Sequence, residues 1–130
     1  MKNDFLEQLA NEIDTIEGVN MTSNIGSLGM GEGLSVYALP GGEVVGGDMS
    51  GARDVKLPFE IAIKSKSQST SNDTLWLINQ GLGSIDIDIP SANDSYEFES
   101  LEVGTPFLNE EDEQGYFLYL LDITANIRTY

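Results

Sequence analysis

Three stretches hold residue types that could do chemistry. In "SIDIDIP", Asp86 and Asp88 stand two apart, so an extended chain would put both carboxylates on one side as hard oxygen ligands for Mg²⁺ or Ca²⁺. Glu110, Glu111, Asp112 and Glu113 form a second acidic group, resembling half of a calcium loop but lacking the D-x-[DN]-x-[DN]-G order. The third is "LPGGEVVGGDMSG", in which Gly41 and Gly46 have the gap of a phosphate-binding loop. That loop needs Lys and then Ser or Thr after its last glycine, with a helix opening there; Gly47 and Asp48 follow instead, and a carboxylate repels phosphate. No third ligand stands in register with Asp86 and Asp88, which therefore read as the outer face of a short strand whose Ile85, Ile87 and Ile89 point inward. The run from Glu110 to Glu113 reads as a solvated connection. No catalytic set, metal site or cofactor follows from these residues; a metal-dependent hydrolase built on the two acidic groups is the remote enzymatic alternative.

Composition narrows the chemistry further. The chain has no cysteine and no histidine, which removes disulfides, thiolate and imidazole ligands, Ser-His-Asp triads and the usual proton shuttle near neutral pH. With 130 residues and 40% hydrophobic content it is expected to form one domain with a single core. No run of 18 apolar residues and no signal peptide is present, so a cytoplasmic site of synthesis and no membrane contact are expected. Against 22 acids stand 6 bases, a net charge of −16 that repels nucleic acid phosphate. Four of the bases, Arg53, Lys56, Lys64 and Lys66, fall close together in sequence and make a candidate patch for an acidic neighbour such as another copy of the chain; a solvated strand edge is the plainer reading.

The elements that must position these residues can be read from periodicity. Asn3 or Asp4 can cap a first helix with Phe5, Leu6, Leu9, Ile13 and Ile16 on one face and Gly18 as its stop. Residues 19–33 are rich in glycine and small polar residues and read as a mobile loop. Strands are predicted at 34–39, 43–49 and 54–66, with Pro40 and Gly41 or Gly42 turning the first back on the second. In the third, Val55, Leu57, Phe59, Ile61 and Ile63 hold one face, and Pro58 argues for an edge position or a neighbouring bulge. Ser69 or Ser71 can cap a second helix whose Thr74, Leu75, Ile78 and Leu82 form the buried stripe, with Gly81 or Gly83 ending it and Trp76 at the stripe's margin as a candidate interface residue. "SYEFESLEV" and "GYFLYLLDITANIRTY" read as the last two strands, joined through "GTPFLNEEDEQ"; apolar residues in both phases of the final strand predict cover on both sides, the second from another subunit. The fold class is α+β: a mainly antiparallel twisted sheet with two helices packed on it, in the order α-β-β-β-α-β-β.

"YALPGG", "DVKLPFEIAIKSK", "DTLWLIN", "SYEFESLEV", "PFLN", "DEQG" and "YLLDITANI", in this order, resemble the minor capsid or tail terminator family of long-tailed phages of Gram-positive bacteria. The resemblance covers most of the chain from Tyr37 onward and, more weakly, the first helix. It implies a subunit of a hexameric ring at the neck of the virion that sits on the tail tube protein, stops tube growth and meets a head completion protein, while genome DNA passes without specific binding. On that reading Arg53, Lys56, Lys64, Lys66 and Trp76 are expected at subunit interfaces, and Glu110, Glu111, Asp112 and Glu113 toward the channel or the tail tube. Another head-tail connector, such as a stopper or adaptor, or another minor capsid component, is the alternative within the same class.

Overall fold

The computed structural model describes residues 3–19, 21–26, 32–47 and 49–129. Helix α1 (Phe5–Asp14) is followed by strands β1 (Ser23–Ile25), β2 (Gly33–Ala38), β3 (Glu43–Gly47) and β4 (Arg53–Ser65), helix α2 (Gln68–Leu82), and strands β5 (Tyr96–Val103), β6 (Phe107–Glu111) and β7 (Phe117–Thr129). All strands join one sheet, ordered β1-β2-β4-β7-β5, with β3 added to β4 and β6 to β7. Among the described strands only β1 and β2 pair in parallel; the α+β class and the order of helices and long strands are those the sequence predicts.

The two thirteen-residue strands β4 and β7 form the spine, paired without a register break from Arg53 opposite Thr129 to Ser65 opposite Phe117. Alternation sends Phe59, Ile61 and Ile63 of β4, with Tyr119, Leu121, Ile123, Ala125 and Ile127 of β7, to one face, where they meet Phe5, Leu9 and Ile13 of α1 and Leu75, Ile78 and Leu82 of α2. Both helices therefore lie on one side. The opposite face carries Tyr37, Lys56, Pro58, Glu60 and Lys64 alongside Leu118, Leu120, Asp122, Thr124, Asn126 and Arg128, and no described helix covers it. The second phase of β7 is thus apolar only at Leu118 and Leu120.

Several local expectations are corrected. The turn at Pro40 and Gly41 does not reverse the chain, because β2 and β3 both run antiparallel to β4 along the same edge. The chain steps aside at residues 39–42 and resumes; Leu39 N–H donates to Pro58 O at 2.9 Å, so the missing N–H of Pro58 falls in the gap between the two short strands. A proline in a central strand is tolerated there because nothing needs its proton. The true reversal is the second glycine cluster, between β3 and β4, where Gly51 has φ of +96°.

"SIDIDIP" forms no strand: Ile85 is 98% exposed while Ile89 is buried. A strand needs a ladder, and residues 85–89 pair with none of the described strands. The connection containing Glu110 and Glu111 is likewise not a plain loop, since residues 107–111 pair with β7 as β6. Within the segment read as a mobile loop, β1 is tied down by Ser23 N–H donating to Asp14 Oδ1 at 2.8 Å; residues 20 and 27–31 of that segment lie outside the described residues.

Helix α1 stops at Asp14 rather than Gly18, with Thr15 as C-cap, although Ile16 still packs so closely on α2 that a Cβ at Gly81 would come within 2.8 Å of it. Asp4 holds the N-cap position but gives its carboxylate away, accepting from Ser91 Oγ at 2.6 Å, Ala92 N–H at 2.8 Å and Ser95 Oγ at 3.0 Å, while Asn3 Oδ1 takes the Phe5 N–H at 2.9 Å. Burial opposes charge on Asp4, but these donors outweigh it and hold the carboxyl below its usual range. Helix α2 is capped by Ser67, not Ser69 or Ser71; its Oγ accepts from Thr70 N–H at 3.2 Å.

Candidate functional site

The features available for work lie on the uncovered sheet face and at the sheet's corners. The four basic residues are spread along β4 rather than gathered: Arg53 and Lys56 stand at its start, Lys64 at its end and Lys66 just beyond. Eleven residues separate Arg53 from Lys64, about 36 Å of extended chain. Within the chain Lys56 Nζ is 3.5 Å from Glu102 Oε2 and Lys64 Nζ is 3.2 Å from Asp112 Oδ2, and both Lys64 and Lys66 stand 5.3 Å from the centre of the Tyr116 ring. Arg53 has no ion pair among the described residues. Trp76 projects from α2, 39% exposed.

The acidic run divides in two. Glu110 and Glu111 are exposed on β6. Asp112 begins the turn into β7 and is structural, accepting from Gln114 N–H and Tyr116 N–H, each at 2.9 Å, as well as pairing with Lys64. The Tyr116 hydrogen bond is the main reason its carboxyl is held below the usual range; Lys64 and Gln114 add to this against a smaller effect of burial. Converting Glu110, Glu111 and Glu113 together to Gln is therefore expected to leave the melting temperature unchanged or slightly higher, by relieving repulsion. Adding Asp112→Ala should lower it by a few degrees. Thermal unfolding of the triple and quadruple variants checks this, and equal melting temperatures would show that the turn does not need its carboxylate.

Sequence reasoning missed two carboxyl pairs on the uncovered face. Glu60 and Asp122 are direct cross-strand partners, and Tyr37 from the adjacent strand donates its hydroxyl proton to Glu60 Oε1 at 2.5 Å. The hydrogen bond with Glu60 pushes the Asp122 carboxyl up to about 6, with burial and the Glu60 charge adding to it, although Asp122 as a whole residue is exposed. Burial also raises the Tyr37 phenol, helped by Glu60. At the start of the sheet Glu99, the bulged residue of β5, is raised by burial and by Asp54, which accepts in turn from Arg128 Nη1 at 3.4 Å. Beside the first pair runs a groove of about 540 Å³ lined by Glu43, Lys56, Pro58, Glu102 and Asp122.

Among the described residues no group of three or more acids forms a metal-binding cluster. Asp86 and Asp88 lie in the turns after α2 and are not brought to the Glu110 to Glu113 run. The surface offers a largely polar sheet face with strands exposed at its edges. No helix among the described residues is long and apolar enough to cross a membrane.

Comparison with known proteins gives this surface its setting. The family model described as "Bacteriophage tail terminator protein" matches residues 13–129, nine-tenths of the chain. Among solved structures, a chain of the "Virion of native gene transfer agent (GTA) particle" shares the fold with a TM-score of 0.57 at 11% identity, over 92% of this chain and 84% of that one. No curated protein matches the sequence significantly. The molecule is a structural protein of phage-type virions, a component of the tail. More particularly, it belongs to the bacteriophage tail terminator family.

Proposed function

We propose that the chain assembles as a ring, hexameric by the family resemblance, on the last ring of the tail tube, where it ends tube growth and presents the join for a head completion protein. The family match over residues 13–129 carries this reading. The surface supports it. One sheet face carries no helix among the described residues, the short strands β3 and β6 are exposed, and the chain has no histidine or cysteine, which favours a role of shape and contact rather than catalysis. A net charge of −16 per chain, repeated around a ring, keeps DNA phosphate from adhering to a channel through which the genome must slide.

Phage lacking the gene tests the proposal. Electron micrographs are expected to show DNA-filled heads free of tails, with tail tubes of irregular or excessive length, and a titre lower by several orders of magnitude. Joined particles with normal tails would refute it. Tubes of normal length that fail to join heads would instead favour a stopper or adaptor role.

A further inference from the structure

We propose that β3 of one subunit adds as an antiparallel strand to β6 of the next, head to tail, so that the sheets of neighbouring copies continue into one another. This rests on the reading of the chain as a subunit of a homo-oligomeric assembly. Each strand is five residues long, exposed throughout, and paired on one side only. Their outer N–H and C=O groups have no ladder among the described residues, which is the condition for strand addition. Eight large apolar side chains are exposed among the described residues, and four sit on these two strands: Val44 and Val45, Phe107 and Leu108.

Direction fits the same pairing. β3 is antiparallel to β4 and β6 to β7, and β4 and β7 are antiparallel, so β3 and β6 run in opposite directions on opposite edges of one sheet. Copies set side by side with helices on the same side therefore bring the two together as an antiparallel pair. A bulge in each strand, at Val45 and at Asn109, keeps that ladder short.

The two strands occupy diagonal corners. β3 lies opposite Val55 and β6 opposite Tyr119, whose partner is Ile63, a separation along β4 of about 26 Å at roughly 3.3 Å per residue. A contact between unlike surfaces closes into a ring only if rotation compensates this step, and otherwise climbs into a filament. The strands of a closed ring must then run oblique to its axis, as tilt and stagger are linked in a barrel.

The absence of native cysteine permits a direct test in virions assembled with variant chains. Val44→Cys combined with Leu108→Cys should give, on mild oxidation, a ladder of covalent oligomers up to the full ring, while either substitution alone gives none. Val45→Cys with Phe107→Cys, the neighbouring pair of the same antiparallel register, is the second, should the first fail to enter particles. A disulfide-linked dimer from a single-cysteine chain would mean a contact between like surfaces and would overturn the proposal. So would virions that contain both double variants yet yield no cross-link, which would leave the bulges and acids as guards against edge pairing while the terminator reading stands. Absence of the wild-type chain from purified virions by mass spectrometry would instead remove the terminator reading, and this one with it.

Discussion

Phe5→Ala is expected to cost roughly 3–5 kcal/mol of folding stability, the range for losing a buried aromatic side chain and leaving its cavity. Phe5 is fully buried and joins three elements: its ring centre lies 5.2 Å from that of Phe59 on β4, 5.3 Å from Tyr96 and 6.4 Å from Phe98 on β5. The Tyr96 ring meets it edge-on at 71°, while the Tyr96 hydroxyl donates to Ile89 O at 2.6 Å and so anchors the connection after α2. Removing the ring thus loosens α1, β5 and that connection together. For a domain of this size the melting temperature should fall by roughly 10–20 °C, and Phe5→Leu should recover most of it. Denaturant midpoints with unchanged slope check the free energy. A loss below about 1 kcal/mol would show that α1 undocks on its own without carrying the sheet, and amide exchange accelerated only within residues 5–14 would identify that case.

Periodicity made β4 legible because its two faces differ along most of its length: Val55, Leu57, Phe59, Ile61 and Ile63 against Lys56, Pro58, Glu60, Ala62 and Lys64, with Ala62 the one small apolar residue of the second set. The same rule failed for Ile85, Ile87 and Ile89. Alternation describes one segment, whereas a strand depends on a pairing partner, and these residues pair with none of the described strands. Pro58 misled in a related way, since its position was judged from the sequence of one strand while the break that accommodates it belongs to the chain at 39–42. Serines 67, 69 and 71 are equivalent as N-caps by type; the end of β4 at Ser65 selects the first.

The site was less legible than the fold. Clustering of the four bases in sequence did not show how they are spaced in the fold, because neighbours along an extended strand move apart at about 3.3 Å per residue. Asp112 could not be separated from Glu110, Glu111 and Glu113 by composition, although Gly115 three residues later, with φ of +88°, marks the turn that its side chain caps. Glu60 and Asp122 lie far apart in sequence and become partners only through register, which no local pattern encodes.

That last pair gives the chain an unusual pH dependence. Asp122 titrates at about 6 in the folded protein, against about 3.9 for an unperturbed aspartate in the unfolded chain. Between those values the folded state holds more protons than the unfolded state, so this pair makes stability fall as pH rises from about 4 to about 6, after which its contribution is flat. The full shift would correspond to about 3 kcal/mol, but solvent screening at an exposed site reduces the expected cost to about 1 kcal/mol. Asp4 and Asp112, held below the usual range, act in the other direction and in a lower window: their support is complete above about pH 4 and is lost as pH falls further. Asp122→Asn removes one charge, keeps a donor for Glu60 and leaves the Tyr37 hydrogen bond to Glu60 in place. It is expected to raise stability by about 1 kcal/mol at pH 7.5, roughly 3–5 °C in melting temperature, and to give almost no gain at pH 4. Denaturant titrations of both proteins at the two pH values decide the matter. An equal gain at both would trace the effect to packing rather than to ionisation, and a loss at pH 7.5 would mean that the Asp122 charge is balanced by a cation and that the two carboxylates do not share a proton.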